Sequence, residues 1–189
     1  MILVVAATAR EAELADGTSV ESLVCGIGPV EAAIATARAL AERQPDAILH
    51  IGVAGAQRLP VASLVIGSES VYCDVIDAAS LLPRVERVEP DAGLLAAARA
   101  AVPAAEVVPI ATAARVGSGA ACEVEAMEGF GVLRAAALAG VPALELRSIS
   151  NAVAERDRRR WRLTEALDAL GEAVPVLVAA FAGAAGGRA

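Results

Sequence analysis

Three polar residues stand at the ends of apolar elements in the second half of the chain. Glu128 lies on the first turn of a predicted helix that begins near Met127, and Arg147 and Asn151 end an apolar segment that predicts a strand. Open α/β proteins bind ligands at helix starts and at the carboxyl ends of strands. Charged and amide groups are costly to bury unless they pair or bind something. These residues therefore predict either a ligand site or a buried ionic network that only stabilises the fold.

Two further segments follow predicted strands at the same kind of position. Thr8-Ala-Arg-Glu11 comes directly after the first strand, and Gly52-Val-Ala-Gly55 ends the third. Glycines separated by small residues let backbone amides approach a ligand closely. A glutamate that opens a helix is most often a capping or dipole-stabilising residue, and Glu13 could serve that role equally well. Taken singly, each of these residues favours a structural role, but their coincidence at successive strand ends indicates a site.

Strands that alternate with helices must position these groups. Apolar runs predict buried strands, and periodic or Ala-rich stretches between them predict helices. We predict one domain over residues 1–189, an α/β fold of three layers with helices on both faces of a mostly parallel, mixed and twisted sheet. Besides the helix near Met127 and the strand before Asn151, the predicted strands are Ile2–Ala6, Ser19–Cys25, Ala47–Val53, Leu64–Ile66, Ser70–Ile76 and Val107–Ala113; the predicted helices are Val30–Arg43, Asp91–Ala101 and one from Thr164; residues 77–90 are predicted as a loop and 117–119 as a turn.

Composition argues against several classes of partner. The 189-residue chain is 57% hydrophobic but only 2% aromatic, and its net charge is −7. A core of Ala, Val, Leu and Ile is therefore predicted, and the acidic balance argues against a nucleic-acid partner. The basic cluster from Arg156 to Arg162 around Trp161 is short and partly offset by Asp157, so it predicts a solvated helix entrance.

The cysteines, the histidine and the chain ends bear on compartment and cofactors. Cys25, Cys73 and Cys122 are widely spaced, which fits reduced thiols in the cytoplasm. One histidine and no paired ligand motif leave little material for a metal site, so we expect neither a metal nor a cofactor. The chain opens directly on a predicted strand without the charged segment that begins a signal peptide, so no signal peptide is expected. The apolar tail is shorter than the ~20 residues that span a bilayer. A cytoplasmic protein without a membrane segment is expected.

The segment Gly26-Ile-Gly-Pro-Val-Glu31 follows a strand and opens a helix, as a dinucleotide-binding loop does. It lacks the third glycine, and Pro29 removes an amide that such a loop would offer to a pyrophosphate. A tight strand-to-helix turn is the better prediction.

Together these segments resemble the purine nucleoside phosphorylase superfamily, whose members carry Met-Glu at a helix start and Arg-x-x-Ser-Asp/Asn after the next strand. The resemblance covers almost the whole chain and is strongest to its futalosine hydrolase family, enzymes of menaquinone biosynthesis. That closer resemblance depends on the continuation of Asn151-Ala-Val into Arg156-Asp-Arg and Trp161-Arg-Leu. The segments that carry the resemblance are Ala7-Thr-Ala-Arg-Glu11, Gly26-Ile-Gly-Pro-Val-Glu-Ala-Ala33, Gly52-Val-Ala-Gly55, Val124-Glu-Ala-Met-Glu-Gly129 and Arg147-Ser-Ile-Ser-Asn151.

The resemblance implies a nucleoside phosphorylase-like fold and a cofactor-free hydrolase that cleaves a purine nucleoside. Glu11 would be the general base that activates water, Arg147 would orient that carboxylate or the water, and Glu128 would accept hydrogen bonds from the ribose hydroxyls. Carboxylates near the sugar would stabilise the oxocarbenium-like transition state of N-glycosidic cleavage. The resemblance also implies a homodimer or higher homo-oligomer with a site near the subunit boundary.

Asn151 departs from the adenosine-cleaving relatives, which resemble this chain but place an aspartate there. A protonated aspartate can deliver a proton to the base, whereas an asparagine amide can only donate to O6 and accept from N7–H. That pattern suits a 6-oxopurine such as the hypoxanthine of futalosine. The alternative is that Asn151 simply caps a turn.

The remaining substrate-binding residues are implied by the same resemblance. Val53 stands where methylthioadenosine nucleosidases have a serine, and Arg115 is a candidate to meet the carboxylate of futalosine's benzoate-bearing substituent. Phe130 is predicted to pack rather than to stack on the base. The residues expected to line the substrate are Met127, Gly52, Val53, Ala54, Thr112, Arg115 and Val116.

Three alternatives remain open from the sequence. A methylthioadenosine or adenosylhomocysteine nucleosidase is disfavoured by Asn151 and Val53. A phosphorylase would need a cationic site, for which Arg10 and Arg58 are the candidates, but Glu11 would repel phosphate. A regulatory binding protein that kept only the fold is disfavoured by the intact set of charged residues.

Overall fold

The computed structural model describes residues 1–74, 85–117 and 122–186, with side chains described as far as residue 183. Its strands and helices follow the chain in the alternation that the sequence predicts. In order they are β1 (Ile2–Ala6), α1 (Ala9–Ala12), β2 (Glu21–Val24), α2 (Pro29–Glu42), β3 (Ala47–Ala56), β4 (Leu64–Tyr72), β5 (Arg87–Val88), α3 (Ala92–Ala101), β6 (Glu106–Thr112), β7 (Val124–Ala126), α4 (Gly129–Ala139), β8 (Ala143–Ala152) and α5 (Leu163–Gly186), with 3₁₀ turns at Glu13–Ala15 and Arg158–Arg160.

The strands form one mixed sheet that closes on itself at one end. β2, β1 and β3 run parallel, and β8 continues the sheet parallel to β3. β8 is antiparallel to β4, β4 and β6 are parallel, and so are β6 and β7. β7 then returns antiparallel to β3, so that β3, β8, β4, β6 and β7 form a ring. The ring curls the carboxyl ends of β3 and β8 around a common space.

Helices cover both faces of the sheet, as predicted for a three-layer α/β/α fold. On one face, β1 and β3 pack against α3 and α5 through residues such as Val4, Leu49 and Phe181. On the other face, Leu3 and Val5 pack against α2 and α4. Apolar side chains from all five strands of the ring form a third cluster, made by Ala54, Ala56, Val65, Ile110, Val124, Ala126 and Ile149.

The predicted elements needed two corrections. The segments Leu64–Ile66 and Ser70–Ile76 were predicted as two strands, but β4 is continuous to Tyr72 because a register shift against β6 at Gly67–Glu69 absorbs the polar interruption. The short strands β5 and β7 were not predicted, since two or three residues carry no detectable period. Residues 75–84 and 118–121, which include Ile76 and most of the predicted loop and turn, lie outside the described residues.

Helix α5 is long and apolar enough to cross a membrane by length and composition alone. Its side chains at Leu170, Val174, Leu177 and Phe181 are fully buried against the sheet. One helical stripe therefore packs in the core, which agrees with the prediction of a packed terminal helix.

The contact between α2 and α4 yields a prediction about stability. A Cβ on Gly131 would lie 2.5 Å from the Pro29 carbonyl oxygen and 3.1 Å from the Ala33 nitrogen, both of them backbone atoms. We expect Gly131→Ala to lower the free energy of unfolding by about 1–3 kcal/mol despite the better helix propensity of alanine. Gly171→Ala is the matched control, because its Cβ would only touch Leu14 at 3.6 Å; a gain of about 0.5–1 kcal/mol is expected there. Urea unfolding measures both, and equal stabilities would contradict the close packing.

Candidate active site

The pairing of β3 with β8 sets the centre of the site by placing Gly52 beside Arg147 in register. A Cβ on Gly52 would lie under 3.0 Å from both the Arg147 guanidinium and Glu11 Oε1. Only a glycine therefore leaves room for those two side chains to come together above the strand. The predicted residues Glu11, Gly52 and Arg147 thus lie at one place.

Arg147 is a buried guanidinium held by several partners. Its side chain is 1% exposed, and Nε donates to Glu145 Oε1 at 2.8 Å. Nη2 lies 3.7 Å from Glu128 Oε2 and also contacts His50 Nε2. Burial opposes the charge, but Glu145 and Glu128 outweigh it and raise the pKa of Arg147 above its usual value.

His50 serves as a neutral acceptor for that guanidinium. Its Nδ1 lies 2.9 Å from the Val5 carbonyl oxygen, which can only accept, so Nδ1 carries the proton and Nε2 faces Arg147 without one. Burial, assisted by the Arg147 charge, holds the pKa of His50 well below its usual value. The single histidine is therefore a support for Arg147.

Glu11 is fixed through both carboxylate oxygens. Oε2 accepts from the Thr8 backbone N–H at 3.1 Å and from the Thr8 hydroxyl at 2.7 Å. The Glu11 backbone N–H donates in return to the Thr8 hydroxyl oxygen at 3.4 Å, which completes a capping box at the start of α1. Oε1 accepts from the Val53 backbone N–H at 3.0 Å. Glu13 is exposed on the following 3₁₀ turn. The capping role expected of a glutamate here is present in Glu11 itself, and the same contacts aim its carboxylate at β3.

Glu128 stands at the N-cap of α4 and is turned toward the same place. Its Oε1 accepts from the Gly28 backbone N–H at 3.0 Å, across the turn before α2. Gly28 has φ = 96°, a conformation that favours glycine, and Pro29 follows as the first residue of α2. The Gly-x-Gly-Pro segment is therefore a strand-to-helix turn whose amide serves Glu128. Burial raises the pKa of Glu128, while Arg147 and the Gly28 amide act in the opposite direction.

A third carboxylate, that of Glu145, also supports Arg147 by accepting from its Nε. It is fully buried on β8 and accepts from the Ser70 hydroxyl of β4. A Cβ on Gly129 would collide with this carboxylate, so the glycine that opens α4 makes the space for it.

Asn151 reaches the site through a bulge in β8. The register against β3 passes from Ala54–Ile149 to Gly55–Asn151, which leaves Ser150 as the extra residue. Asn151 Nδ2 donates to the Ala152 carbonyl oxygen at 2.9 Å, and Oδ1 accepts from the Ser150 hydroxyl at 2.7 Å. The Ala152 oxygen can only accept, so the amide has one possible orientation, with one N–H and one lone pair left over.

These groups surround a cavity of about 320 Å³. Among the predicted residues, Glu11, Val53, Ala54, Val116, Met127, Glu128 and Asn151 line it. Gly52 and Arg147 lie beneath the lining. Thr112 does not line the cavity; it is fully buried, and its hydroxyl accepts from the Phe130 backbone N–H at 2.8 Å at the start of α4. Arg115 is exposed and also does not line it.

Other lining residues were not predicted. They include Ile27, Glu125, Ser150, Val153, Arg158, Trp161 and Leu163. Glu125 is buried and accepts from the Gly117 backbone N–H at 2.6 Å. Phe130 stacks on Tyr72 with ring centroids 5.1 Å apart and does not line the cavity, in agreement with its predicted packing role.

The charges beside the cavity are unbalanced. Glu11, Glu128 and Glu145 are gathered about one guanidinium, and His50 is neutral. Such a site disfavours an anion and stabilises positive charge that develops in a bound molecule. Among the described residues no group of His, Cys, Asp and Glu side chains could hold a metal ion.

Comparison with known proteins finds similar sequences and similar folds. A family model described as the phosphorylase superfamily matches residues 8–183. The chain is 37% identical over 184 residues to futalosine hydrolase of Streptomyces coelicolor, covering 82% of this chain and 78% of that protein. A structure of a futalosine hydrolase mutant of Helicobacter pylori superposes with a TM-score of 0.85 at 19% identity, covering 94% of this chain and 97% of that one. A 5′-methylthioadenosine/S-adenosylhomocysteine nucleosidase of Neisseria meningitidis, in complex with methylthio-immucillin-A, superposes with a TM-score of 0.83 at 21% identity and the same coverage.

The buried thiol of Cys25, next to the site, leads us to predict that the free energy of unfolding falls at alkaline pH. Cys25 is 2% exposed, and burial, with a smaller contribution from Glu128, raises its pKa from 9.0 to about 12. Above pH 9 the unfolded chain loses this proton while the folded chain keeps it, so the free energy of unfolding falls as the pH rises toward 12. The loss is about 2 kcal/mol at about pH 10.5.

Urea unfolding at about pH 8 and pH 10.5 measures this effect. Cys25→Ala should remove the additional loss at the higher pH, whereas Cys122→Ala, at a half-buried thiol, should retain most of it. An unchanged pH dependence in Cys25→Ala would show that another group is responsible.

Proposed function

Because this chain belongs to the phosphorylase superfamily, we propose that it is a nucleosidase that hydrolyses the N-glycosidic bond of futalosine and releases hypoxanthine, a reaction of menaquinone biosynthesis. One observation carries the proposal: two buried carboxylates, Glu11 and Glu128, line the same cavity as the fixed amide of Asn151. The 37% identity to the futalosine hydrolase of Streptomyces coelicolor supports the choice of substrate.

In the proposed reaction Glu11 is the general base. Its carboxylate takes a proton from water, the water oxygen bonds to the anomeric carbon, and the bond from that carbon to the purine nitrogen breaks. The bonding electron pair leaves with the purine, which then takes a proton from solvent. The Val53 and Thr8 donors hold the carboxylate in one orientation throughout, so no reorganisation is needed when it takes the proton from the attacking water.

Glu128 is proposed to bind the ribose hydroxyls. Its Oε1 is oriented by Gly28 and its Oε2 faces Arg147, and each oxygen has further capacity to accept. Arg147 and the Gly28 amide oppose the upward effect of burial on the pKa of Glu128. Two anionic carboxylates then lie against the sugar, where positive charge develops in the transition state.

Asn151 is proposed to select the base. Its orientation is imposed by Ala152 and Ser150. The remaining N–H matches O6 of a 6-oxopurine, and the remaining lone pair matches the N7–H that forms when the leaving base takes up its proton. A 6-aminopurine would place its amino group against the Asn151 N–H, so that two donors face each other. Burying donors without acceptors is costly, which discriminates strongly against that base. The capping contacts to Ala152 and Ser150 thus serve recognition as well as the turn.

Hydrolysis fits the charges better than phosphorolysis does. Arg10 is exposed on α1, and Arg58 is paired with Glu123 at 3.0 Å, so neither of these candidates lines the cavity. An incoming phosphate would instead meet Glu11 and Glu128. A 5′-methylthioadenosine nucleosidase activity is the second candidate, supported by the similarity of the fold alone.

We further propose a homodimer that acts in the cytoplasm. The three cysteines are unpaired, which fits a reducing compartment. Ile27, Val30 and Ile34 form an apolar stripe at helical spacing, with exposed fractions of 63%, 63% and 62%. Ile27 also lines the cavity, so a second copy seated on this stripe would border the site.

Base release in phosphate-free buffer tests the activity. We expect hypoxanthine from futalosine at a far higher kcat/KM than adenine from methylthioadenosine, with no requirement for phosphate. Glu11→Gln should lower kcat by about 10²–10⁴-fold, because the general base is lost, while nucleoside binding persists. Glu13→Gln is the matched control at an exposed position, and full activity is expected.

Three outcomes would contradict the proposal. Base release that requires phosphate would make the protein a phosphorylase, and preferred release of adenine would make Asn151 a turn residue only. Full turnover by Glu11→Gln would exclude its role as the base.

A charge on the apolar stripe tests the dimer. Ile34→Glu should reduce the mass in sedimentation equilibrium from twice the chain mass to the single-chain 19.0 kDa, since an unpaired carboxylate cannot be buried cheaply at an interface. Val176→Glu on α5, an exposed apolar position on the opposite layer, should leave the mass unchanged. A wild-type protein that sediments as a single chain would refute the dimer.

A further inference from the structure

One wall of the cavity is formed by the segment Val153–Leu163, which follows β8 and which we call the wall segment. It is attached to the sheet near both ends. The Val153 N–H donates to the Ala56 carbonyl at 2.9 Å, and the Arg162 N–H donates to the Ser150 carbonyl at 2.9 Å. The wall segment is therefore held beside Asn151, and it places Val153, Arg158, Trp161 and Leu163 on the cavity.

Within this wall, Arg158 lies over the indole of Trp161. The guanidinium carbon is 5.5 Å from the ring centroid, within the range of a cation–π contact. The Trp161 Nε1–H donates to the Glu155 carbonyl at 3.1 Å, which fixes the plane of the ring. A half-buried aromatic surface and a guanidinium are thus presented side by side at the cavity.

The arginines of the wall segment around Arg158 are paired with carboxylates, apart from Arg156, which makes no ion pair among the described residues and does not line the cavity. Arg159 pairs with Asp157 at 2.9 Å, Arg160 pairs with Glu155 at 3.1 Å, and Arg162 pairs with Glu165. Within the described part of the chain, Arg158 makes no ion pair. It is also the one cationic side chain among the described residues that line the cavity.

The lining residues with negative charge make this cation significant. Glu11, Glu125 and Glu128 all line the same cavity, so a substrate carboxylate would be repelled from most of it. A guanidinium binds a carboxylate through two parallel hydrogen bonds, and its contact with an aromatic ring leaves these donors available.

We infer that Arg158 and Trp161 bind an aromatic carboxylate on the 5′-substituent of the nucleoside, with Arg158 pairing with the carboxylate and Trp161 contacting the ring. This inference depends on the proposed function, because it names the part of the substrate that the wall segment recognises. Arg115, the candidate from sequence, is exposed and does not line the cavity, and Arg158 takes its place in this proposal. The pair thereby determines specificity among nucleosides that share one base.

Two substrates with the same base isolate this contact. Futalosine carries the benzoate, and inosine has the same hypoxanthine and ribose without it. Arg158→Ala should lower kcat/KM for futalosine by about 10- to 100-fold, mainly by raising KM. Its kcat/KM for inosine should stay within about two-fold, because the reacting atoms keep their partners.

Matched variants separate charge from shape. Arg158→Lys should retain part of the preference for futalosine, since it keeps the charge but not the two-pronged geometry. Trp161→Phe should retain more of the preference than Trp161→Ala. Arg159→Ala, on the same 3₁₀ turn but paired with Asp157, should behave as wild type. Raising the salt concentration should raise KM for futalosine in the wild type and not in Arg158→Ala.

Equal losses on futalosine and inosine in Arg158→Ala, or no loss on either, would overturn the inference while leaving the proposed activity intact. Wild-type protein that releases no base from any nucleoside would overturn the proposed function instead. In that case calorimetric binding of futalosine and inosine decides the inference. Tighter binding of futalosine that is lost in Arg158→Ala supports it, and equal binding refutes it.

Discussion

The buried guanidinium of Arg147 is the constraint on which the arrangement of the site depends. It lies at the level of the sheet, bonded to Glu145 and near Glu128, with His50 as a neutral acceptor. Burying such a group costs several kcal/mol unless its partners are in place, and breaking a buried pair from one side costs about 3–5 kcal/mol. The buried charge of Arg147 therefore requires all of these partners to be in place. The consequence is a set of carboxylates whose positions are fixed before any ligand arrives.

That constraint explains why glycine occupies several of the positions around it. Gly52 lets the guanidinium and Glu11 come together, and Gly129 makes room for the Glu145 carboxylate. Gly28 has a positive φ and offers its N–H to Glu128. A side chain at Gly52 or Gly129 would be placed where the charged network lies. The sequence suggested that the glycine-containing motifs contact the ligand directly. In the structure these glycines instead leave the space that the charged side chains occupy.

The sequence predicted those parts of the fold and site that local pattern controls. Glu11, Glu128 and Asn151 were recognised because each interrupts an apolar pattern at the end of an element, and each lines the cavity. Glu145 and His50 were missed because they lie in the middle of apolar strands, although Glu145 and Arg147 alternate on one face of β8, which was a usable signal. Thr112 and Arg115 were assigned to the lining by resemblance, and they lie elsewhere because the path of β6 past the cavity is not encoded locally. The closure of the sheet through β7 depends on long-range pairing with β3 and β6, which a three-residue strand gives no local sequence pattern to predict.

Our inference assigns specificity for the 5′-substituent to Arg158 of the wall segment instead of Arg115. The ends of β3 and β8 are fixed by ladder hydrogen bonds, and the charged network fixes Glu11 on α1 and Glu128 at the start of α4 beside them. In our proposal this frame presents the same carboxylates and amide to any purine nucleoside. Among the described residues, the backbone hydrogen bonds that attach the wall segment to β3 and β8 are those of Val153 and Arg162, and its intervening residues pair mostly with one another. Because these side chains do not support Arg147, they can change without disturbing the charged network. In this proposal the groups that cleave the glycosidic bond belong to the fixed frame. Arg158, which the wall segment leaves unpaired beside the cavity, then decides which 5′-substituent is accepted.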